Sequence, residues 1–466
     1  MLTIIRIWEN SLYPFITLFN RPPMNARESA WQIILEFEKS NRHLDGLLDH
    51  YLRKAELTGK ERKFIYNLVS GCVRHKSLLD WKASTFYHGK YKKAFDKLKV
   101  ILRLALYEID FLPHIPPHAT VNEYVNLGKR LLPRSNVGLI NGILRSYLRE
   151  GKHLNPEKEF KYVETQIAVR YSFPEWLVKR WLSQWDVKFV EEMCAAFNDR
   201  PVFDIRINPL KLGAAEFVKN MNSEKINCTA SQTFENMFEV TDIQALMSTK
   251  MLQQGFFSVQ DESGYLAVRL LDPVKGERVL DVCAAPGSKY TAMLEENVTN
   301  EVVVALEIDH SRLEKIRENC IRLQLPTGWI VQADARNIPF KKLFDKIIVD
   351  APCSGIGTIQ KHPDIKWRRN MEEIFRFQEL QLEILSSAAQ MLKPGGEIVY
   401  STCTIDSSEN EFVIESFLQK NGDRFEIVEP PELFSPFISE KKYIRTFPHL
   451  HGMEGAFAAK LKRIKK

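Results

Sequence analysis

Two cysteines in the C-terminal half stand where they could act on one substrate. Cys353 lies in Asp350-Ala351-Pro352-Cys353-Ser354-Gly355, and Cys403 in Ser401-Thr402-Cys403-Thr404. Each follows an apolar run, Lys346–Asp350 and Glu397–Ser401, that reads as a buried parallel strand. Open α/β sheets bind ligands at the carboxyl ends of their strands, and a thiolate delivered there is a nucleophile. A single strand-end cysteine is more simply a small core residue, because free cysteine is among the most buried residue types. Two on one sheet that also carries a ligand loop favour covalent chemistry.

The ligand loop is Cys283-Ala284-Ala285-Pro286-Gly287-Ser288-Lys289, leaving the first strand, Arg278–Val282, and leading into a helix. Small residues let the backbone approach a ligand, and the helix start exposes unpaired N–H groups. Glu307, 20 residues after Gly287 at the end of the second strand, suits the hydroxyls of a ribose. Asp334 ends the third strand, where a carboxylate can accept a hydrogen bond from an adenine amino group. Asp350 ends the fourth, beside the reactive end expected of the ligand. The loop has one glycine rather than G-x-G-x-x-G, and the chain has no G-x-x-x-x-G-K-[ST] phosphate cradle. A single nucleoside without a pyrophosphate fits, and S-adenosylmethionine is the expected cofactor.

These residues need a sheet to position them, and the chain has room for more than that. Its 466 residues allow two or three domains, and 27% charged residues place it among globular chains. Seven cysteines with no C-x-x-C pair argue against a disulfide framework or a zinc site; no metal is expected, and a reducing cytoplasm would keep a catalytic thiol usable. The net charge of +6 is uneven. Residues 1–150 carry 24 Lys and Arg against 14 Asp and Glu, or +10, whereas the rest carry 41 against 45, or −4. A polyanion-binding module joined to a near-neutral enzyme is expected from that split, although an ordinary solvated surface would also account for the charge.

Residues 1–23 have an apolar character broken by Arg6, Glu9 and Asn10, with no small-x-small cleavage site. They fall short of the ~20 apolar residues of a membrane span. They are read as a disordered or spurious extension, with Met24 as the alternative start. From Ala26 to about Glu150 the periodicity is helical: Trp31, Ile34, Leu35 and Phe37 make one stripe, and Phe64, Leu68, Val69 and Val73 another. Thr58 with Glu61 three residues on predicts a capped helix start, and Pro113–His118 a break between helices. Asn155-Pro156 begins a linker. Val202 to about Gly255 reads as a small α+β connector. From Phe256 onward strands alternate with helices, as in a doubly wound sheet, and Pro394-Gly395-Gly396 is expected to turn into the strand leading to Cys403.

Cys-Ala-Ala-Pro-Gly-x-Lys, Asp-Ala-Pro-Cys-Ser-Gly and Thr-Cys-Thr together resemble the RNA cytosine-C5 methyltransferases of the Nol1/Nop2/Sun family. Phe257–Ser263 and Lys361-His362-Pro363-Asp364-Ile365-Lys366-Trp367 are similar to further segments of that family, and Asn141-Gly142-Ile143-Leu144-Arg145 resembles the NusB-type RNA-binding fold. The combination resembles the bacterial Sun or Fmu type, from about Met24 to the end. Ser288 stands where the family has a second glycine, Glu307 where it has Asp, and Gly455-Ala456-Phe457 is a weaker match to its Gly-Phe-Phe.

The resemblance implies three domains: an all-α NusB-like domain at 24–150, a small α+β connector at 151–255 and a Rossmann-like class I methyltransferase domain at 256–466. It implies S-adenosylmethionine-dependent methylation of carbon 5 of a cytosine in 16S rRNA, met unassembled or early in small-subunit assembly, by a cytoplasmic monomer with no membrane partner. It further implies that Cys403 attacks carbon 6 and Cys353 assists release; spacing alone leaves the two roles open. A non-catalytic RNA-binding or antitermination factor would need neither cysteine, and an amino-group methyltransferase would carry Asn/Asp-Pro-Pro-Tyr in place of Asp350–Cys353.

Overall fold

The computed structural model describes residues 25–54, 57–296 and 302–465; the reading of residues 1–23 lies outside them. The chain divides into two compact units between Gln184 and Trp185.

The N-terminal unit is helical, as its periodicity dictates. Its main helices are Ala26–Lys39, Leu44–Lys54, Gly59–Arg74, Lys76–Thr85, Asp96–Phe111, Pro117–Leu131 and Arg134–Glu150. Thr58 and Glu61 form the reciprocal capping box expected of them. The helix Asp96–Phe111 runs through the core, burying Leu98 and every residue from Val100 to Glu108. Two of those are charged and paired. The Glu108 carboxylate receives Arg27 Nε and Nη2 at 2.9 and 2.7 Å and the Thr120 hydroxyl at 2.8 Å. Arg103 donates to both oxygens of Asp80 and to Glu38. Burial of such charges is tolerable because every one is met by an opposite partner. The segment after Asn155 holds a one-turn helix, Pro156–Glu159, where the sequence reads as a linker: Asn155 caps it and Pro156 takes the first helical position.

Among the described residues the second unit contains twelve strands: β1 (Phe203–Ile207), β2 (Cys228–Ala230), β3 (Met237–Val240), β4 (Phe257–Val259), β5 (Val279–Val282), β6 (Val303–Glu307), β7 (Trp329–Gln332), β8 (Phe344–Asp350), β9 (Leu392–Thr402), β10 (Phe425–Ile427), β11 (Ile444–Arg445) and β12 (Phe457–Arg463). The first four make a small antiparallel sheet, ordered β2-β3-β1-β4. With the helices around it this is the expected α+β element, and it draws β4 from beyond residue 255. The others form a large sheet, ordered β10-β12-β9-β8-β5-β6-β7, with β11 off this path and paired to β12. Strands β9, β8, β5, β6 and β7 run parallel. Leu280, Val282, Ile347 and Val349 pack on one face, and Val279, Ala305, Ile348 and Val399 on the other. Burial on both faces explains why these strands are continuously apolar.

The sequence reading differs from the large sheet in two places. The sheet is mixed, since β12 pairs antiparallel with β9 and β10 with β12; the charged run Lys460-Leu461-Lys462-Arg463 hid β12. Pro394-Gly395-Gly396 lies inside β9 rather than before it. The ladder slips there, Phe344 facing Leu392 but Lys346 facing Glu397, so the segment bulges out of an otherwise continuous strand.

Candidate active site

The parallel order reverses between β5 and β8, because β6 and β7 lie on one side of β5 while β8 and β9 lie on the other. In open α/β sheets ligands bind at such a switch point, outside the strand carboxyl ends. The ligand loop leaves β5 there. Cys283 has φ +63° and Gly287 φ +101°, and a side chain at 287 would press on Ile316 at 3.2 Å. These two turns swing the loop back into the helix Ser288–Glu295.

Glu307, at the end of β6, is buried and accepts from the N–H of Ala285 at 3.4 Å, of Ile308 at 3.0 Å and of Asp309 at 3.1 Å. It binds the loop to the second strand. Lys289 Nζ lies 2.7 Å from Asp350 Oδ2, and Ser401 Oγ donates to Asp350 Oδ1 at 3.1 Å. Burial alone would lower the Lys289 pKa, but Asp350 foremost, then Cys403 and Asp281, hold it above its ordinary value. Asp334 stands apart in its contacts: Arg336 Nη2 grips its carboxylate at 2.6 Å, and those hydrogen bonds hold its pKa low.

The two thiols meet. Asp350 faces Ser401 in the β8–β9 register, so the chain leaves both strands side by side, and Cys353 Sγ lies 3.2 Å from Cys403 Sγ. The pKa of Cys353 is raised well above the ordinary thiol value, by its hydrogen bond to Cys403 first and by burial second. Either sulfur can be the donor of that hydrogen bond. Its loop is held by Glu409, fully buried, which accepts from Ser354 N at 2.7 Å, Ser354 Oγ at 2.5 Å and Gln381 Nε2 at 3.1 Å. Burial lifts Glu409 to about 7. Gly357 N donates to the Cys403 carbonyl and Gly455 N to the Gly357 carbonyl; a Cβ at 357 would overlap the Gly455 oxygen. That contact gives the Gly455 stretch its place.

Sequence reasoning missed three features. Asp281 on β5 is fully buried, and neither carboxylate oxygen has a hydrogen-bond partner among the described residues. Burial, then Asp350, pushes its pKa well up. An acidic residue inside Val-Leu-x-Val was the available signal. Arg206 on β1 is also fully buried, donating to both Glu295 oxygens at 2.8 and 3.1 Å and to the Ser288 carbonyl at 3.0 Å. The small sheet thus braces the helix that begins at the ligand loop. Finally, Lys361 Nζ lies 2.6 Å from Asp261 and 3.1 Å from Glu454, bringing together the two similar segments at 257–263 and 361–367.

Asp281 and Asp350 both act on the Lys289 ammonium, and Asp281 is left without a donor among the described residues. That surplus of acceptors suits S-adenosylmethionine, which carries a sulfonium and an ammonium. Doubly wound sheet, switch-point loop and strand-end acids define a class I methyltransferase. Residues 268–462 match the family described as 16S rRNA methyltransferase RsmB/F, residues 24–149 the NusB family, and residues 173–242 the ferredoxin-like domain of RsmF/B-like methyltransferases. The chain is 32% identical to the probable ribosomal RNA small subunit methyltransferase B of Bacillus subtilis, over 94% of this chain and 99% of that one. It is 34% identical to ribosomal RNA small subunit methyltransferase B of Pseudomonas syringae pv. tomato, over 87% and 89%. Its fold is shared with the crystal structure of PH0851, at TM-score 0.79 and 24% identity over 96% of this chain and 99% of that one. It is also shared with NSun6 from Pyrococcus horikoshii with SFG, at TM-score 0.58 and 21% identity over 64% and 100%. The chain belongs to the RsmB/F family of 16S rRNA methyltransferases. S-adenosylmethionine is the cofactor of that chemistry and rRNA its substrate. Among the described residues no helix is long and apolar enough to cross a membrane.

Proposed function

We propose that the protein methylates carbon 5 of one cytosine in 16S rRNA through a covalent adduct on Cys403. Carbon 5 of cytosine is a poor nucleophile, and addition of a thiolate to carbon 6 converts the ring to an enamine that can attack from carbon 5. The observation that carries this reading is the pair of thiols 3.2 Å apart, beside the ion pair of Lys289 with Asp350. A binding protein, or an enzyme acting on an exocyclic amine, has no use for either sulfur.

Cys403 gives up its thiol proton and attacks carbon 6 as the thiolate, with Cys353 beside it at 3.2 Å. Lys289 supplies positive potential for the attacking thiolate, and Asp350 meets the cytosine edge, favouring protonation of its ring nitrogen. Glu307 holds the ribose hydroxyls of the cofactor, Asp334 its adenine amino group after release from Arg336, and the loop Cys283–Lys289 encloses it; Asp281 offers its free oxygens to the cofactor's positive charge. The cofactor, when bound, supplies the methyl group. Cys353 then assists release: as a thiolate it takes the carbon 5 proton, the carbon 5–carbon 6 double bond re-forms, and the bond from carbon 6 to Cys403 breaks with its electron pair returning to the Cys403 sulfur. The target base must leave any stacked helix to enter such a site. We assign residues 24–150 to RNA binding, 151–255 to the connector and 256–466 to catalysis, in a cytoplasmic monomer acting on rRNA that is unassembled or early in assembly.

Bisulfite sequencing of 16S rRNA treated with the purified protein and S-adenosylmethionine tests the assignment. One newly conversion-resistant cytosine is expected. Methyl incorporation without such a cytosine rejects the carbon 5 reading.

A further inference from the structure

We propose that a cleft in the N-terminal unit, between the helix Lys76–Thr85 and the single turn Tyr91–Lys93, is a docking site for an unpaired nucleotide of the RNA. The inference rests on the reading that this unit binds RNA, and it names where. The cleft measures 760 Å³, within the roughly 300–1,000 Å³ of sites that enclose a small ligand.

Its walls combine what single-stranded RNA requires. Trp81 and Phe160 line it as an apolar side, their rings 6.1 Å apart and tilted by 53°, so the faces are splayed rather than stacked on one another. Lys90, Lys92 and Lys93 line it as a basic side and are exposed. The cations deeper in are committed. Arg103 is bound to Asp80 and Glu38, and Lys99 Nζ donates to the Lys92 carbonyl at 3.0 Å and to Asp96 at 3.2 Å. The Asp80 carboxylate, the one acid in the lining, is taken up by Arg103 and by the Tyr91 hydroxyl. By contrast, none of Lys90, Lys92 and Lys93 pairs with a carboxylate among the described residues, whereas elsewhere in the unit Arg27, Arg42, Arg53, Lys76, Lys82 and Arg130 do.

Three unpaired ammonium groups within four residues repel one another, and a phosphate chain relieves that repulsion. An aromatic wall beside them gives a base a face on which to stack, the combination by which proteins bind single strands. Double-stranded RNA presents no free base face and would meet only the lysines.

The test uses the full-length protein and a fluorescent single-stranded oligoribonucleotide of about 12 residues, within the roughly 4–16 nucleotides of single-strand sites, with an RNA duplex of equal length beside it. Lys90→Gln/Lys92→Gln/Lys93→Gln is expected to weaken single-strand binding and lower its log–log salt slope by about 2, at roughly 0.7 per phosphate contact. Trp81→Ala is expected to weaken single-strand binding about tenfold while leaving duplex binding unchanged, and Trp81→Phe to restore it. Lys39→Gln/Lys60→Gln/Lys129→Gln removes the same charge from other helices of the unit. An equal loss in this control, or no loss from either Trp81→Ala or the cleft triple, overturns the cleft while leaving RNA binding by the unit intact. If neither triple changes affinity or salt slope, the reading of the unit as an RNA-binding module fails with it.

Discussion

Cys353 Sγ and Cys403 Sγ lie 3.2 Å apart, although 50 residues separate them in the chain, because β8 and β9 are neighbours in register at Asp350 and Ser401. One hydrogen bond therefore couples the two thiols, and each variant at the pair reports on a different half of the reaction.

Cys403→Ala is expected to abolish methyl transfer while S-adenosylmethionine affinity stays nearly unchanged, since the thiol enters only the covalent step. Turnover at the wild-type rate would remove Cys403 from the role of nucleophile.

Cys353→Ala is expected to allow addition and methylation but to stall release. On a denaturing gel the variant should show an RNA-dependent band shift that Cys353→Ala/Cys403→Ala lacks. A shift with Cys403→Ala instead would reverse the two roles.

Arg206→Met leaves Glu295 charged and unpaired where both side chains are 1% exposed. Breaking a buried ion pair on one side costs about 3–5 kcal/mol, so urea unfolding should show a loss of that order. S-adenosylmethionine affinity should fall too, because Arg206 also holds the Ser288 carbonyl. Replacing both partners, as Arg206→Met/Glu295→Leu, should recover much of the stability. A single-variant loss below about 1 kcal/mol, in the range of exposed pairs, would show that the small sheet does not brace this helix.

Glu409 gives a pH dependence of definite sign. Burial raises its folded-state pKa from 4.5 to about 7, so between those values the folded chain holds a proton that the unfolded chain has lost. Its contribution to stability is present below pH 4.5 and declines as pH rises through 7. Relative to Glu409→Gln, the wild type should therefore lose thermal stability between about pH 5 and pH 7. A wild-type advantage that grows with pH would mean that the three donors at Glu409 outweigh its burial.

Deleting Met24–Glu150 should weaken RNA binding and spare cofactor affinity, because every residue of the ligand loop and its acids lies beyond position 280. Salt dependence should be steeper for the full chain than for the truncated one, at about 0.9 per duplex phosphate and 0.7 per single-strand phosphate neutralised. Equal slopes with unchanged affinity would leave RNA recognition to the second unit.

Much of this was legible in the residues. Periodicity distinguishes the helical third from the alternating remainder, and the capping pair Thr58 and Glu61 marks a helix start in one dimension because capping is local. The Pro-Gly-Gly bulge was not legible, since its local turn chemistry is the same before a strand as inside one. Nor was β12, whose Lys460 stays acceptable in the sheet only because Glu397 of the neighbouring strand meets it at 2.8 Å.

The sequence by itself determined which groups exist: two strand-end thiols, a one-glycine loop, and acids spaced one per strand. Tertiary structure alone decided which of them touch. Strand order cannot be read from periodicity, and it is the order β9-β8-β5-β6 that sets Cys353 against Cys403 and Lys289 against Asp350, and gathers Asp281 beside the acids of two other strands. Asp334 has the same strand-end signature as Glu307, yet in the fold Arg336 takes its carboxylate while Glu307 closes on the ligand loop. Spacing along the chain is common to both; the partner each one meets belongs to the packed structure.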